Sequence, residues 1–216
     1  MMGKERERGT RLTDIRADHR TRYEWARRMI AARAQKLGWT ACQAIDLFCG
    51  NGYGSWILTQ DSTLPLWVVG FDKSEEAIEE GREHWCDPNV TLVPHDMDTE
   101  APMTWQKAVP HFHAIVCFES LEHVPAAGGV LEYFQKVIRP DGLLLLSVPN
   151  EAALPFSKEA WPYHYRHYTE AEIVELVTSF GFNPCVFGQT GLQIFQPHQA
   201  IEEKPHHHIV ACEVAR

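Results

Sequence analysis

The segment DLFCGNGYG, at residues 46–54, restricts the fold of this chain more than any other part of its sequence. It ends a short apolar run of the kind that forms a buried parallel strand, and the SWILTQ that follows starts a helix. Gly50, Gly52 and Gly54 permit a tight turn and let a ligand approach the backbone closely at the carboxyl edge of a sheet. Because dinucleotide-dependent oxidoreductases use a similar loop, the segment alone predicts an α/β sheet and leaves the ligand open.

Strand-like and helical segments alternate along the rest of the chain. Further strands are predicted at 66–73, 90–96, 112–120 and 142–150, with a helix over 18–37 ahead of the first strand and a helix capped by Thr169 after the fifth. This alternation predicts a parallel sheet with helices on both faces. The strand-like pieces near 182–188 and 207–215 have no helix between them and should be antiparallel. The predicted fold is therefore a Rossmann-like, doubly wound, mostly parallel sheet of seven strands with the last strand antiparallel.

Three aspartates lie on or at the ends of the predicted strands. Asp46 lies inside the first strand, four residues before Gly50, where a carboxylate can pair with a cationic amino group. Asp72 ends the second strand, where an acid can accept hydrogen bonds from ribose hydroxyls. Asp96 ends the third strand, where it can accept from an adenine amino group. Together the three acids favour a cofactor with an amino group and a nucleoside over a dinucleotide.

Five segments in this order make the chain resemble the class I S-adenosylmethionine (SAM)-dependent methyltransferases over roughly residues 18–188. They are IDLFCGNGYGS, VVGFDKSEEAIE, VPHDMD, FHAIVCFESLEHV and IRPDGLLLLSVPN. The resemblance implies that SAM is the cofactor and S-adenosylhomocysteine (SAH) the product. It also implies that Asp46 and Gly50 face the amino-acid part of SAM, Asp72 the ribose and Asp96 the adenine. The full set of residues expected to bind the cofactor is Tyr23, Asp46, Gly50, Asn51, Gly52, Asp72, Lys73, Asp96, Met97, Phe118 and Glu119.

Two histidine-rich places are candidates for the acceptor side, where a hydroxyl acceptor must lose a proton. One is ESLEH at 119–123, in which helical spacing would put Glu119, Glu122 and His123 on one face. The other is HYRHY at 164–168, in an aromatic stretch that suggests a lid, with Arg166 placed to clamp an anion. The expected catalytic residues are His123, His164 and His167, of which at least one should lie near the sulfonium.

A metal site is the alternative interpretation of the same residues. The small-RNA 3′-terminal 2′-O-methyltransferases carry a similar Glu-x-x-Glu-His pattern and a downstream histidine, which would make Glu119, Glu122 and His123 the ligands here, together with His164 or His167. Metal-free small-molecule methyltransferases carry the pattern too, and we expect no metal. The first hypothesis is O-methylation of a small polar acceptor such as a sugar, a nucleotide or a hydroxylated metabolite. The alternatives are a metal-assisted RNA 2′-O-methyltransferase, a non-catalytic SAM-binding partner subunit and a NAD-dependent oxidoreductase.

The charge of the chain is unevenly distributed. The net charge is −9, but residues 1–36 hold eleven Lys and Arg against five Asp and Glu. This predicts a basic helical arm or cap over 1–40 in front of a methyltransferase domain over 41–216. Such an arm is either a solvated helix or an aid in holding a polyanionic substrate, but the acidic remainder argues against nucleic acid. No apolar run is long enough for a membrane span, the N-terminus lacks a secretory signal and the six cysteines form no CxxC pair, so we expect a cytoplasmic protein with reduced thiols.

Overall fold

The computed structural model describes residues 7–60, 63–96, 112–196, 199 and 204–215. The helices are α1 (Ala17–Leu37), α2 (Tyr53–Thr59), α3 (Glu75–His84), α4 (Ala127–Val137) and α5 (Glu170–Ser179). The strands are β1 (Cys42–Leu47), β2 (Leu66–Asp72), β3 (Val90–Pro94), β4 (Phe112–Phe118), β5 (Ile138–Pro149), β6 (Phe182–Thr190), β7 (Gln193–Phe195) and β8 (His207–Val214). The predicted alternation of strands and helices is confirmed.

The strands form one sheet in the order β3-β2-β1-β4-β5-β8-β6-β7. Strands β1 to β5 are parallel to one another, and β8 lies antiparallel between β5 and β6. The predicted Rossmann-like sheet is confirmed, with one strand more than the seven expected. The extra strand, β7, returns antiparallel along β6 after a tight turn at Gly191, whose φ of 53° is left-handed and suits glycine.

Apolar side chains cover both faces of the sheet. On one face α1 and α2 pack over a cluster that includes Ile30, Leu58 and Val68. On the other face α4 and α5 supply Leu131, Phe134 and other members of a second cluster. The two layers leave the carboxyl ends of β1, β2, β4 and β5 together at one edge, which is where ligands bind in sheets of this kind.

Helix α1 is part of the packed domain. Its residues Tyr23, Ala26, Ile30 and Ala34 are buried as the helical spacing predicts, whereas Leu37, at the last position, is 39% exposed. The helix ends at Gly38, whose φ is 70°.

Two further predictions concern the cysteine thiols and membrane-spanning segments. All six cysteines are free thiols; four are buried, while two are exposed on the surface. None of the helices within the described residues has both the length and the apolar character that crossing a membrane requires.

Candidate active site

The glycine loop between β1 and α2 is tightly enclosed by the protein itself. Gly50 and Gly52 have φ values of 60° and 79°, which L-residues rarely adopt. A Cβ on Gly52 would lie 2.6 Å from the Leu92 side chain, and one on Gly54 would lie 2.1 Å from the Tyr23 ring. The loop therefore excludes side chains for reasons of backbone conformation and packing as well as ligand approach. Its Phe48 also adopts a left-handed φ, 59°, at a position with a side chain.

Asp72 ties the glycine loop to the start of α3. Its Oδ2 accepts a hydrogen bond from the Gly50 N–H and its Oδ1 one from the Ser74 N–H, each at 2.9 Å. The carboxylate is thus fixed at the end of β2, beside the glycine loop. Lys73 is exposed, Asp96 is the last described residue after β3, and Met97 lies outside the described residues.

Asp46 is completely buried under Tyr23. Its carboxylate accepts hydrogen bonds from the Tyr23 hydroxyl at 3.1 Å and from the Ser55 hydroxyl at 2.7 Å. Burial raises the pKa of Asp46 to about 7, although the two hydrogen bonds act in the opposite direction. The Tyr23 ring also packs edge-on against Phe118, with centroids 5.1 Å apart. Three residues that were expected at the cofactor site therefore lie in one cluster, at the carboxyl ends of β1 and β4.

The segment before α1 crosses the glycine loop, which the sequence patterns did not indicate. The Gly9 carbonyl accepts hydrogen bonds from Asn51 Nδ2 and Trp85 Nε1, both at 3.0 Å. Arg8 donates to Ser74 and Glu76 at the start of α3. Asn51 thus holds the chain over the loop rather than pointing into open space.

Glu119 follows β4 with a left-handed φ of 49° and is engaged on several sides. Its Oε1 accepts from the Ser147 hydroxyl at 2.8 Å and lies 3.2 Å from Arg22 Nη1, and its Oε2 lies 2.9 Å from His207 Nε2. Burial alone would raise the pKa of Glu119, but Arg22 and His207 together hold it well below its usual range. The expected helical face of Glu119, Glu122 and His123 is wrong, because the left-handed residue breaks the helix and turns Glu119 toward His207.

Glu122 and two histidines form a separate cluster. One ligand atom each of Glu122, His123 and His164 lie within 4.8 Å of one another. Glu122 is 1% exposed, and its Oε2 has no hydrogen-bond partner within the described residues. Burial and the nearby Glu119 raise the pKa of Glu122 well above its usual range. Of the metal-ligand set that the sequence suggested, Glu119 lies outside this cluster, and His164 rather than His167 is the downstream histidine within it.

His167 lies next to this cluster and contacts it through His164. Its Nε2 lies 2.7 Å from His164 Nδ1 and its Nδ1 2.5 Å from the Leu154 carbonyl, so both ring nitrogens are occupied. Burial, together with His123 and His167, lowers the pKa of His164 to about 4. The structure thus brings together all three histidines that were expected to be catalytic.

The aromatic stretch after β5 borders this cluster. Trp161 stacks on His164, with ring centroids 5.1 Å apart and planes 27° apart. Tyr163 and Tyr165 are 54% and 52% exposed. Arg166, which was expected to clamp an anion, forms an ion pair with Glu172 at 2.7 Å instead. The stretch offers flat aromatic surface beside the histidines.

Comparison with known proteins assigns the fold and the cofactor. The family of methyltransferase domains matches residues 40–204. A ubiquinone biosynthesis O-methyltransferase of Neisseria meningitidis serogroup A is 26% identical over 110 residues, which cover 50% of this chain and 44% of that protein. A probable S-adenosylmethionine-dependent methyltransferase of Mycolicibacterium smegmatis is 29% identical over 141 residues, covering 64% of this chain and 51% of that protein. The chain spans about half the length of the curated relatives it matches.

Solved structures with the same fold include methyltransferases crystallised with SAH. The plantazolicin methyltransferase BpumL in complex with SAH superimposes with a TM-score of 0.68 at 16% identity, covering 92% of this chain and 85% of that one. A methyltransferase from Clostridium acetobutylicum superimposes with a TM-score of 0.65 at 11% identity, covering 90% and 92%. Identities this low show the fold alone, and the family match carries the assignment. The chain belongs to the class I SAM-dependent methyltransferases.

Proposed function

We propose that this chain transfers the methyl group of SAM to an oxygen atom of a small polar acceptor such as a sugar, a nucleotide or a hydroxylated metabolite. The observation that carries the proposal is the concentration of imidazole and carboxyl groups at the carboxyl edge of β4 and β5. An oxygen nucleophile needs such groups, because its proton must leave as the methyl group arrives. The O-methyltransferase names of several relatives agree with this class of reaction.

The cofactor site is proposed to use the residues at the ends of β1 to β4. The glycine loop fits a ligand of this kind at Gly50, where the nearest atom to an added Cβ would be 3.9 Å away, beside the fixed carboxylate of Asp72. When bound, SAM supplies an activated methyl group on a sulfonium. Asp72 is proposed to hold the ribose and Asp96 the adenine, while Tyr23 and Phe118 shape the amino-acid end above Asp46.

The acceptor is proposed to lie between the aromatic stretch and the histidine cluster. His123 and His164 would contact its hydroxyl groups, and His167 would hold His164 in place, since both nitrogens of His167 are already used. The stacked pair of Trp161 and His164 provides a flat surface against which a ring can pack.

A panel of acceptors tests the proposal. Purified protein is incubated with SAM and either catechol, a ribonucleoside or a hexose, and the products are identified by mass spectrometry and NMR. We expect an O-methylated product, lost or much reduced in His164→Ala and retained in His84→Ala, a matched change of an exposed histidine on α3. Methylation confined to nitrogen or carbon acceptors would contradict the proposal.

The cluster of Glu122, His123 and His164 supports a second candidate, a metal-assisted 2′-O-methyltransferase of RNA. Three ligand atoms within 4.8 Å and an unpartnered Glu122 oxygen, among the described residues, are what a divalent ion would need. We expect activity to survive EDTA. Loss of activity in EDTA, restored by manganese or magnesium and accompanied by methylation of an RNA 3′ end, would establish the second candidate instead.

A further inference from the structure

His207 and Glu119 form a histidine–carboxylate pair outside the cluster of His123, His164 and His167. His207 begins β8, which runs antiparallel, so it lies opposite Pro149 of β5 and Gln189 of β6. Its Nε2 is 2.9 Å from Glu119 Oε2. The antiparallel strand thus places an imidazole at the edge where the parallel strands β4 and β5 end.

Glu119 is built to orient this imidazole rather than to accept a proton itself. Ser147 donates to its Oε1, and Arg22, which is 1% exposed, lies 3.2 Å from the same oxygen. These groups hold a residue in a left-handed backbone conformation, which residues with a side chain rarely adopt. A carboxylate kept ionised in this way prefers a hydrogen-bond donor, and this places the imidazole proton on Nε2.

The opposite nitrogen of His207 is therefore the basic one. Among the described residues, Nδ1 of His207 has no hydrogen-bond or ion-pair partner, and 16% of the side-chain surface is exposed. In the histidine cluster, by contrast, Nδ1 of His164 and both nitrogens of His167 are already engaged. Of these three rings, His207 is the one that contacts a carboxylate through one nitrogen and leaves the other nitrogen without a partner among the described residues.

The strand order places the pair on the acceptor side of the cofactor. The glycine loop and Asp72 follow β1 and β2, and Phe118 ends β4 beside Tyr23. Glu119 is the next residue, and His207 lies two strands further along the sheet, at β8. If the amino-acid end of SAM lies at Asp46 and Phe118, as the proposed function has it, a group in this position faces the side from which an acceptor approaches the methyl group.

Titratable and charged groups face His207 from α1, from β8 and from the turn after β4. Arg22 on α1 faces it from across Glu119, and His19 on the same helix has its pKa lowered to about 4 by burial and by Arg22. Its strand neighbour His208 is buried, with a pKa of about 4. Beyond Glu119 lies Glu122, whose pKa is raised well above its usual range by burial and by Glu119. Glu119 is the carboxylate in direct contact with the ring, and it would stabilise positive charge there.

We propose that His207 is the general base of methyl transfer and that Glu119 is its positioning residue, an inference that rests on the proposed O-methyltransferase function. In the step, the acceptor O–H bond breaks and its proton passes to His207 Nδ1. The oxygen forms a bond to the methyl carbon as the carbon–sulfur bond breaks, and the sulfonium becomes a neutral thioether. The proton on Nδ1 then leaves to solvent, while His123 and His164 keep their role in contacting the acceptor.

The first test compares His207→Gln with the wild type on two acceptors, catechol and 4-nitrocatechol. The nitro group acidifies a hydroxyl, so that acceptor depends far less on a base. We expect His207→Gln to lower kcat on catechol by about 10²- to 10³-fold, the usual contribution of a general base, and by less than about tenfold on 4-nitrocatechol. SAH affinity should stay within about twofold. His206→Gln, at the exposed neighbouring position, is the matched control and should retain activity.

The second test needs no acceptor. Long-range ¹H–¹⁵N spectra of wild type and His207→Gln identify the His207 ring, and we expect its proton on Nε2 with Nδ1 bare. Glu119→Gln should weaken this preference. A proton on Nδ1 at the pH of the assay would overturn the proposal.

The outcomes separate this inference from the proposed function. Equal losses on both catechols, or full activity in His207→Gln, would refute the role of His207 while leaving O-methylation intact. If His164→Ala, and not His207→Gln, lowers kcat much more on catechol than on 4-nitrocatechol, the general base lies in the cluster of His123, His164 and His167. A wild type that methylates no oxygen would refute the proposed function, and the proton-transfer step with it.

Discussion

Asp46 is the group whose burial makes the sharpest quantitative prediction. It is fully buried, and its pKa is raised from 3.8 to about 7, chiefly by burial. The folded state therefore binds the Asp46 proton more tightly than the unfolded state does. Stability falls as the pH rises from about 4, where the unfolded carboxyl ionises, until about 7, where the folded carboxyl ionises too. The full shift corresponds to a cost of about 4 kcal/mol for holding the charged form inside the protein.

Asp46→Asn removes this cost while keeping the size of the side chain. In the wild type the Tyr23 hydroxyl donates to Oδ1 of Asp46 and the Ser55 hydroxyl to Oδ2. The asparagine presents its oxygen to one of these hydroxyls and its amide N–H to the other, and a hydroxyl can accept as well as donate. Below pH 4 the variant and the wild type should be similar. Between pH 5 and 7.5 the wild type should lose about 2 kcal/mol relative to the variant, because most of the ionisation difference falls in that window.

Urea unfolding followed by circular dichroism at pH 5 and pH 7.5 measures this difference. Asp14→Asn, at an exposed aspartate, is the control and should show no comparable change. If the cationic amino group of SAH approaches Asp46, as the resemblance implies, saturating SAH should stabilise the wild type more than the variant at pH 7.5. A stability difference between Asp46→Asn and wild type that does not change with pH would refute the argument from burial.

Three further predictions concern the cofactor site. Gly52→Val should abolish SAH binding in calorimetry and lower the free energy of unfolding by about 1–3 kcal/mol, because the φ of Gly52 is 79° and Leu92 occupies the space that the side chain would need. Gly129→Ala, at a glycine in open space, is the control and should be neutral. Normal SAH binding by Gly52→Val would mean that the cofactor loop is elsewhere. Asp72→Ala should weaken SAH binding by about 1–3 kcal/mol through lost hydrogen bonds to the ribose, and unchanged affinity in the folded variant would contradict that role. Trp85→Phe removes the hydrogen-bond donor to the Gly9 carbonyl and should speed SAH release in stopped-flow experiments. An unchanged release rate would show that the segment over the glycine loop does not retain the cofactor.

The signals that predict the cofactor half of the site are local in the sequence. A glycine loop after a strand, and acids at strand ends, depend only on where strands begin and end. The structure accordingly brings Tyr23, Asp46 and Phe118 together at the carboxyl edge. The eighth strand was missed although it has a local signal: the Thr-Gly-Leu-Gln sequence at 190–193 forms the tight turn of a hairpin.

The acceptor half could not be predicted in the same way. Helical spacing placed Glu119 with Glu122 and His123, but a single left-handed residue after β4 reversed its direction. Arg22 has the sequence position of a surface residue on an amphipathic helix, yet it is buried because Gln189 and Glu119 from distant strands receive its guanidinium. Spacing along one element carries no information about such partners.

The partnership of Glu119 and His207 shows which structural step converts pattern into chemistry. The antiparallel strand predicted near 207–215 is present as β8, but antiparallel pairing alone does not say which residue lies at the carboxyl edge. The register does: Pro149 pairs with His207, and a shift of one residue would put His208, with its side chain on the opposite face, in its place. The buried apolar residues Ile209 and Val210 resist such a shift, since it would exchange the faces they pack against. The core packing of β8 is thus what directs His207 toward Glu119, and core substitutions that loosen this register should impair the acceptor side before the cofactor side.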